Sequence, residues 1–171
     1  MSNQFYKEVS PIKKDAKPLR GGLWHVLYCP LERVNYFPDV NPASNKIDDD
    51  FDVDAWFRVN SSNYKKGYRE ESRTGDGGDY LEITVTVNLP FESAENHQSL
   101  DRLKYHRYIL AVITPLGLVK ILGTKENPVT LRQAGYSGEN PKEESGTQLT
   151  FFWVSEDKPL LCSSALVPVI G

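Results

Sequence analysis

The residues with the clearest capacity for chemistry are the carboxylates of an acidic run, D-D-D-F-D-V-D, at positions 48–54. Carboxylates at alternate positions can converge on a hard cation such as Ca²⁺. An EF-hand loop counted from Asp50 would need Gly at its sixth position and Glu at its twelfth, where the chain has Ala55 and Ser61. The run therefore favours a solvated acidic face of a strand over a metal site.

The other reactive side chains do not form a recognisable catalytic set. His25, His97 and His106 stand outside any metal or nucleophile motif, and no serine lies in the G-x-S-x-G turn of hydrolases. The glycine-rich T-G-D-G-G-D at 74–79 lacks the Lys and hydroxyl of a phosphate-binding loop, and it predicts a turn instead. We expect no enzyme activity, no cofactor and no metal.

Composition indicates one folded domain. The 171 residues are 39% apolar and 25% charged, as in a globular protein of this length. A formal net charge of -3 gives no overall attraction to nucleic-acid phosphates or to an anionic membrane. Cys29 and Cys162 lack C-x-x-C spacing, and we interpret them as idle thiols. No apolar segment approaches the length of a membrane helix, and we expect no membrane association.

The element that organises the rest of the chain is the apolar stretch at 105–123. Tyr108 to Ile113 runs apolar without alternation, Pro115-Leu116-Gly117 interrupts the run, and apolar residues resume up to Gly123. A short apolar run that is rich in β-branched residues and bounded by Pro and Gly fits a strand covered on both faces. The stretch therefore predicts a tight β-hairpin in the core.

Alternation and turn signals predict the remaining elements. At 79–89 the inward positions are Leu81, Ile83, Val85, Val87 and Leu89. Further strands are predicted at 23–29, within 47–59 from Phe51 onward, at 129–133 and at 147–154, and one helix is predicted at 93–103. The polar stretch at 60–79 is predicted to be a mobile excursion with one polar strand around 64–73. Together, these predicted strands and the single helix indicate a mainly β fold, an antiparallel β-sandwich or partly closed barrel with one short helix.

The two ends of the chain are predicted to lie outside this core. Residues 1–22 mix lysines with prolines and indicate an extended N-terminal arm, which leaves 23–171 as a single β-rich domain. The end at 160–170 is mostly apolar, and its exposure would be unfavourable unless it docks on its own core or on a neighbour. We expect deletion of either end to leave the thermal unfolding of the core nearly unchanged. The expected contacts with neighbouring subunits are Ile12, Lys13, Lys14, Leu160, Leu161, Leu166 and Val167.

The order of elements from Asp79 to Val154 resembles that of a known class of proteins. It comprises an alternating strand, a short helix, a strand-turn-strand, the segment L-G-T-K-E-N-P at 122–128, a polar loop and a final aromatic strand. This order resembles the small structural proteins of the neck and tail of tailed bacteriophages, over somewhat under half of the chain. The resemblance implies a β-sandwich or barrel with one packed helix, assembled as a ring around the channel that carries DNA, and no catalytic residues.

The leading hypothesis is a virion structural protein, a ring subunit of the head-to-tail connector or the tail tube. Its expected partners are copies of itself, other neck and tail proteins, and DNA that passes without specific binding. The alternation at 47–59 places Asp48, Asp50, Asp52 and Asp54 on one face. In a ring this face could line the channel and repel phosphates, and bulk solvent is its alternative destination. The competing function is a ligand-binding β domain for a sugar or a peptide, and an enzyme comes third.

Overall fold

The structure is a computed structural model that describes residues 25–37, 40–41, 46–47, 52–53, 56–59, 66–89, 94–115, 117–136, 139 and 146–162. Within these ranges the chain forms one α-helix, α1 (Ala94–Leu103), and a short 3₁₀ turn (Leu31–Arg33). The strands there are β1 (His25–Pro30), β2 (Val34–Tyr36), β3 (Val40–Asn41), β4 (Lys46–Ile47), β5 (Asp52–Val53), β6 (Phe57–Arg58), β7 (Lys66–Gly75), β8 (Gly78–Leu89), β9 (Tyr108–Ile113), β10 (Val119–Leu122), β11 (Thr130–Tyr136), β12 (Gly146–Ser155) and β13 (Leu160–Cys162).

Two sheets pack face to face. The larger sheet has the order β3-β4-β13-β10-β9-β1-β6 and the smaller sheet has the order β11-β12-β8-β7, while β2 and β5 form a separate pair. Neighbouring strands run antiparallel, apart from the parallel pair β4 and β13. One hydrophobic cluster contains buried residues of both sheets, as a sandwich requires. The predicted antiparallel β-sandwich with one short helix is confirmed.

The predicted core hairpin is present as β9 and β10, which pair from Ile113 with Val119 to Leu110 with Leu122. All six side chains of β9 are buried, because this strand lies between β10 and β1 and is covered on both faces. Gly123 follows β10 with φ of +92°, and a Cβ there would lie 3.1 Å from the Tyr108 carbonyl oxygen. The end of the hairpin therefore requires glycine.

The larger sheet separates two clusters of buried side chains. Toward the smaller sheet lie Val26, Leu110, Val112 and Leu122, packed with Ile83, Val85, Val87, Leu149, Phe151 and Trp153. On its other face lie Leu27, Ile109, Ala111, Val119 and Ile121, packed with Val34, Ile47 and Trp56 from the segment after β1. Successive side chains of one strand point to opposite faces. The second cluster is therefore the reason why β9 is apolar at every position.

The alternating strand and the helix lie where the sequence predicts them. In β8, Ile83, Val85 and Val87 are fully buried, as the period of two requires. In α1, Leu100 and Leu103 pack against the cluster between the sheets. The ten residues of α1 are the longest helix in the ranges given above, and no helix there is long and apolar enough to cross a membrane.

Within the stretch at 60–79, the polar strand predicted around 64–73 is confirmed as β7, and the described part is a regular hairpin where the sequence predicted an irregular excursion. β7 is a regular ten-residue strand that pairs with β8 from Lys66 with Val87 to Gly75 with Gly78. Asp76 and Gly77 form the connecting turn, as T-G-D-G-G-D predicts, and Gly78 has φ of +114°, which favours glycine. A polar strand forms here because pairing with β8 satisfies its backbone, so it needs no apolar period of its own.

The single half-buried strand predicted within 47–59 is wrong. The described residues form three two-residue strands: β4 pairs with β3 and β13, β5 pairs with β2, and β6 pairs with β1. Trp56 is buried on the outer face of the larger sheet, whereas Val59 is buried between the sheets. The chain changes partners within this segment, so no single alternation describes it.

The described part of the C-terminal end, 160–162, packs against the core, which corrects the expectation that this end lies outside it. Residues Leu160–Cys162 form β13, which pairs with β10 on one side and with β4 on the other. Leu160 and Cys162 pack against the outer cluster of the larger sheet. This apolar strand is therefore covered by its own chain, and burial raises the pKa of the Cys162 thiol to about 11.

Candidate functional site

A pocket of about 250 Å³ opens beside the C-terminal end of β1. We name it the arginine pocket, and its lining residues are Tyr28, Pro30, Glu32, Arg33, Phe57, Arg102, Leu103 and His106. Four elements meet here: β1, the 3₁₀ turn, β6 and the last turn of α1. The Leu31 amide donates a hydrogen bond to the Arg107 carbonyl at 2.9 Å, which fixes the 3₁₀ turn against the start of β9.

Aromatic rings form the wall of the arginine pocket. The Tyr28 ring stacks on Phe57 with centroids 5.6 Å apart, and it meets Tyr108 edge-on at the same distance. The Tyr108 hydroxyl donates to the Leu103 carbonyl, which ties the last turn of α1 to β9. Stacked and edge-on pairs stabilise their arrangement by about 0.5–1.5 kcal/mol beyond their buried area. The wall is therefore held in place from both sides.

Charged side chains form the rim. The Arg33 guanidinium carbon lies 5.3 Å from the Phe57 ring centroid, within cation–π range. Glu32 Oε2 lies 3.2 Å from His106 Nδ1, an exposed pair that contributes little to stability. The Glu32 backbone N–H and, to a smaller degree, His106 hold the pKa of the Glu32 carboxyl below its usual value. In the part of the chain that the structure describes, Arg102 has no ion-pair partner.

The second candidate region is the outer edge of the smaller sheet. β7 and β8, together the edge hairpin, extend past the neighbouring strand β12, because β12 pairs with β8 only as far as Leu81 with Ser155. We name the projecting residues 73–80 the hairpin tip. Thr74 Oγ1 donates to Asp79 Oδ1 at 2.7 Å across the tip, and Arg73 Nε donates to Glu82 Oε2 at 2.8 Å. The tip is thus a polar, internally bonded projection.

A polar network joins the edge hairpin to the larger sheet. Lys120 Nζ of β10 lies 4.4 Å from the Tyr68 ring centroid, and the Tyr68 hydroxyl donates to Glu70 Oε2 at 2.8 Å. Lys158 Nζ donates to Glu70 Oε1 at 2.5 Å. Burial opposes ionisation of Glu70, but the bonds from Lys158 and Tyr68 hold its pKa below the usual value. This network positions β7 against the sandwich.

Cationic groups gather where β7 begins. Lys66 is buried, with 5% of its surface exposed, and it lies near Arg58 of β6 and His25 of β1. Burial and the Arg58 charge lower the pKa of the Lys66 amine. Burial, followed by Lys66 and Arg58, lowers the pKa of His25. The start of the edge hairpin therefore lies close to β1 and β6.

Few of the site residues predicted from the sequence lie in the described ranges. Asp52 begins β5 and pairs with β2, whereas Asp48, Asp50 and Asp54 lie outside the described residues. Leu160 and Leu161 lie in β13, opposite Ile121 and Lys120. The other predicted subunit contacts also fall outside the described residues: Ile12, Lys13, Lys14, Leu166 and Val167. Of the four predicted carboxylates, the described ranges therefore give the position of Asp52 alone.

The arginine pocket is a site that the sequence alone does not predict. Its residues span 28–106 and meet only because β1 pairs with β9, Pro30 lying opposite Tyr108. His106, which belongs to no metal or nucleophile motif in the sequence, is partnered by Glu32 and lines this pocket. Among the described residues, no three His, Cys, Asp or Glu side chains are placed to hold a metal ion.

Comparisons with protein-family models, with curated proteins and with solved structures find no match to this chain.

Proposed function

We propose that this chain is a structural subunit of the neck or tail of a tailed bacteriophage and assembles as a ring in the virion. The resemblance of residues 79–154 to such proteins supports the proposal. The observation that carries it is the edge hairpin. Its outer strand β7 has ten residues, and the hairpin tip projects from the sheet. A two-stranded hairpin is marginally stable in water without further packing. The tip therefore gains stability by packing on a neighbouring subunit.

The two edges of the smaller sheet support head-to-tail assembly. The order β11-β12-β8-β7 is antiparallel throughout, and β11 and β7 are its outer strands. Because the number of strands is even, β11 of one copy placed beside β7 of the next continues the antiparallel alternation. A head-to-tail interface closes into a ring when its rotation allows. Edge strands with free backbone groups are templates for such pairing.

The charge of the chain is compatible with a channel that carries DNA. A net charge of -3 provides no general attraction to phosphates. The acidic run at 48–54 adds carboxylates to each subunit, and any that reach the lumen of the proposed ring would repel the duplex. The proposed partners are copies of the chain, other neck and tail proteins, and DNA that passes without specific binding.

The proposal is tested by imaging and by one redesigned hairpin. Electron microscopy of the intact virion, with the chain labelled by an antibody, should place it in a ring between head and tail or along the tail. Replacing residues 74–79 by Asn-Gly joins Arg73 to Tyr80, a pair two positions from the native closing pair of Gly75 with Gly78 and therefore of the hydrogen-bonded kind that a two-residue turn requires. This tip-shortened variant should fold and fail to enter particles. Labelling away from the neck and tail, or normal incorporation of the variant, would contradict the proposal.

A ligand-binding β domain is the second candidate, and the arginine pocket favours it. The pocket is concave and combines an aromatic wall with polar groups, as small-molecule sites do. A chain that stays monomeric and binds a sugar or a peptide in this pocket would support this function over the first. Saturation-transfer NMR with sugar and peptide libraries, followed by Phe57→Ala, measures it directly, since loss of the stacked ring should abolish binding.

A further inference from the structure

We propose that the arginine pocket binds a small aromatic carboxylate, a single flat ring that bears one carboxyl group. The inference rests on the shape and charge of this pocket and is independent of ring assembly. Three features lead to it: the size of the pocket, its unequal supply of hydrogen-bond donors and acceptors, and its net charge.

The size selects a small ligand. A volume of about 250 Å³ lies below the roughly 300–1,000 Å³ of pockets that enclose drug-sized molecules. One ring with an acid group fits this space, and a dinucleotide does not. The wall offered to that ring is the stacked pair of Tyr28 and Phe57, whose rings are inclined by only 27°. A flat ring packs on such a wall by offset stacking.

The pocket offers more donors than acceptors. Arg33 and Arg102 line the pocket, and a guanidinium fork matches the two oxygens of a carboxylate. The Tyr28 hydroxyl makes no hydrogen bond to another described residue, and burial raises its pKa, so it remains a protonated donor. The one carboxylate of the lining, Glu32, is directed to His106. A ligand rich in acceptors is therefore favoured.

The net charge selects a monoanion. The lining contains two guanidinium groups, of Arg33 and Arg102, and a single carboxylate, of Glu32, so these three groups carry an excess of one positive charge. A carboxylate neutralises this excess. A phosphate monoester carries nearly two negative charges at neutral pH, and its second charge would stand near Glu32 without a partner. The pocket therefore fits a carboxylate better than a phosphate.

The test is an NMR titration of the isotope-labelled full chain with benzoate. Benzyl alcohol serves as the neutral analogue and phenyl phosphate as the dianionic one. Benzoate should shift the resonances of Tyr28, Phe57 and Leu103, and it should bind more tightly than either analogue. Arg102→Gln should raise the dissociation constant by about tenfold, because a hydrogen bond to a charged group is lost. Arg33→Gln should act in the same direction.

The matched control is Arg132→Gln. Arg132 is an exposed arginine of β11 outside the pocket, so its replacement should leave the benzoate constant unchanged. The proposal is overturned if benzoate shifts none of the three residues, if benzyl alcohol binds as tightly, or if phenyl phosphate binds more tightly. It is also overturned if Arg102→Gln and Arg132→Gln change the constant equally. Both arginines are exposed on regular elements, and circular dichroism of each variant verifies the fold.

Discussion

The two long hairpins of this sandwich share antiparallel pairing and differ in their surroundings. In the core hairpin, every residue of β9 is buried between two layers of side chains. In the edge hairpin, Lys66 is the only buried residue of β7, and the strand ends in a polar tip beyond its neighbour. The same backbone geometry thus stabilises the fold in one hairpin and presents a surface in the other. Substitutions should separate these two roles.

The largest effect is expected in the core hairpin. Leu110 of β9 is fully buried between the sheets, so Leu110→Ala should lower the free energy of unfolding by about 3 kcal/mol, through lost transfer energy and a residual cavity. Urea denaturation measures this loss. The control is Leu118→Ala in the same hairpin, because Leu118 is 43% exposed and its truncation should cost about 0.5 kcal/mol or less. Equal losses in the two variants would contradict the assigned core.

Glycine in the two hairpins should respond differently to the same substitution. Gly123→Ala should destabilise the fold by about 2 kcal/mol, because φ is +92° and the added Cβ meets the Tyr108 carbonyl oxygen and Val129. Gly67 in β7 has no atom within 4 Å of an added Cβ. Gly67→Ala should therefore be neutral or stabilising by a few tenths of a kcal/mol. Thermal unfolding of both variants decides whether the core hairpin is the less tolerant one.

A smaller, pH-dependent effect is expected where the edge hairpin meets the larger sheet. Glu70→Gln weakens the bonds from Lys158 and Tyr68 and should cost about 0.5–1 kcal/mol at neutral pH, since solvent screens the 73% exposed Lys158 side chain. Because the folded pKa of Glu70 lies below its usual 4.5, the stabilisation is complete above that pH and disappears as the pH falls through the folded value.

The measurement is urea denaturation of wild type and Glu70→Gln at neutral pH and well below pH 4.5. The difference between the two proteins should shrink at the acidic pH. The control is Glu71→Gln, whose salt bridges to Arg69 and Arg73 lie on the exposed face of β7 and contribute little. A Glu70→Gln difference that grows on acidification would mean that the sign of the shift is wrong.

The comparison of the hairpins also shows which strands can be predicted from the sequence alone. The continuous apolar run at 108–113 and the alternation of Ile83, Val85 and Val87 specify their strands directly, because each pattern has one compatible environment. β7 has no such pattern, since its side chains are mostly solvated and its partner β8 supplies the pairing. The sequence therefore predicted a polar strand around 64–73 but not its regular pairing along the sheet edge, which depends on β8.

Long-range contacts explain the remaining differences. Trp56 and Val59 enter opposite clusters because the chain changes strand partners between them, which no local period records. β13 lies between β4 and β10, two strands distant in sequence, so its apolar residues could equally have been covered by another subunit. The arginine pocket likewise combines Phe57 with Arg102, which only the tertiary fold brings together. Sequence patterns thus predicted which segments form strands better than they predicted which strands pair with one another.

Removal of the hairpin tip should have the smallest effect on the free energy of unfolding and the largest effect on assembly. In the tip-shortened variant, Arg73-Asn-Gly-Tyr80, the exposed end is removed while the pairing of β8 with β12 is kept. Its free energy of unfolding should change by about 0.5 kcal/mol or less, because the tip contributes no residue to either core cluster.

The most direct test of assembly through the edge hairpin is sedimentation of this variant beside the wild type over rising protein concentration. We predict a ring-sized oligomer for the wild-type chain and a folded monomer for the variant, at concentrations where circular dichroism shows the same β content for both. The same sedimentation behaviour for the two proteins, whether both are rings or both are monomers at every concentration, would contradict assembly through the edge hairpin.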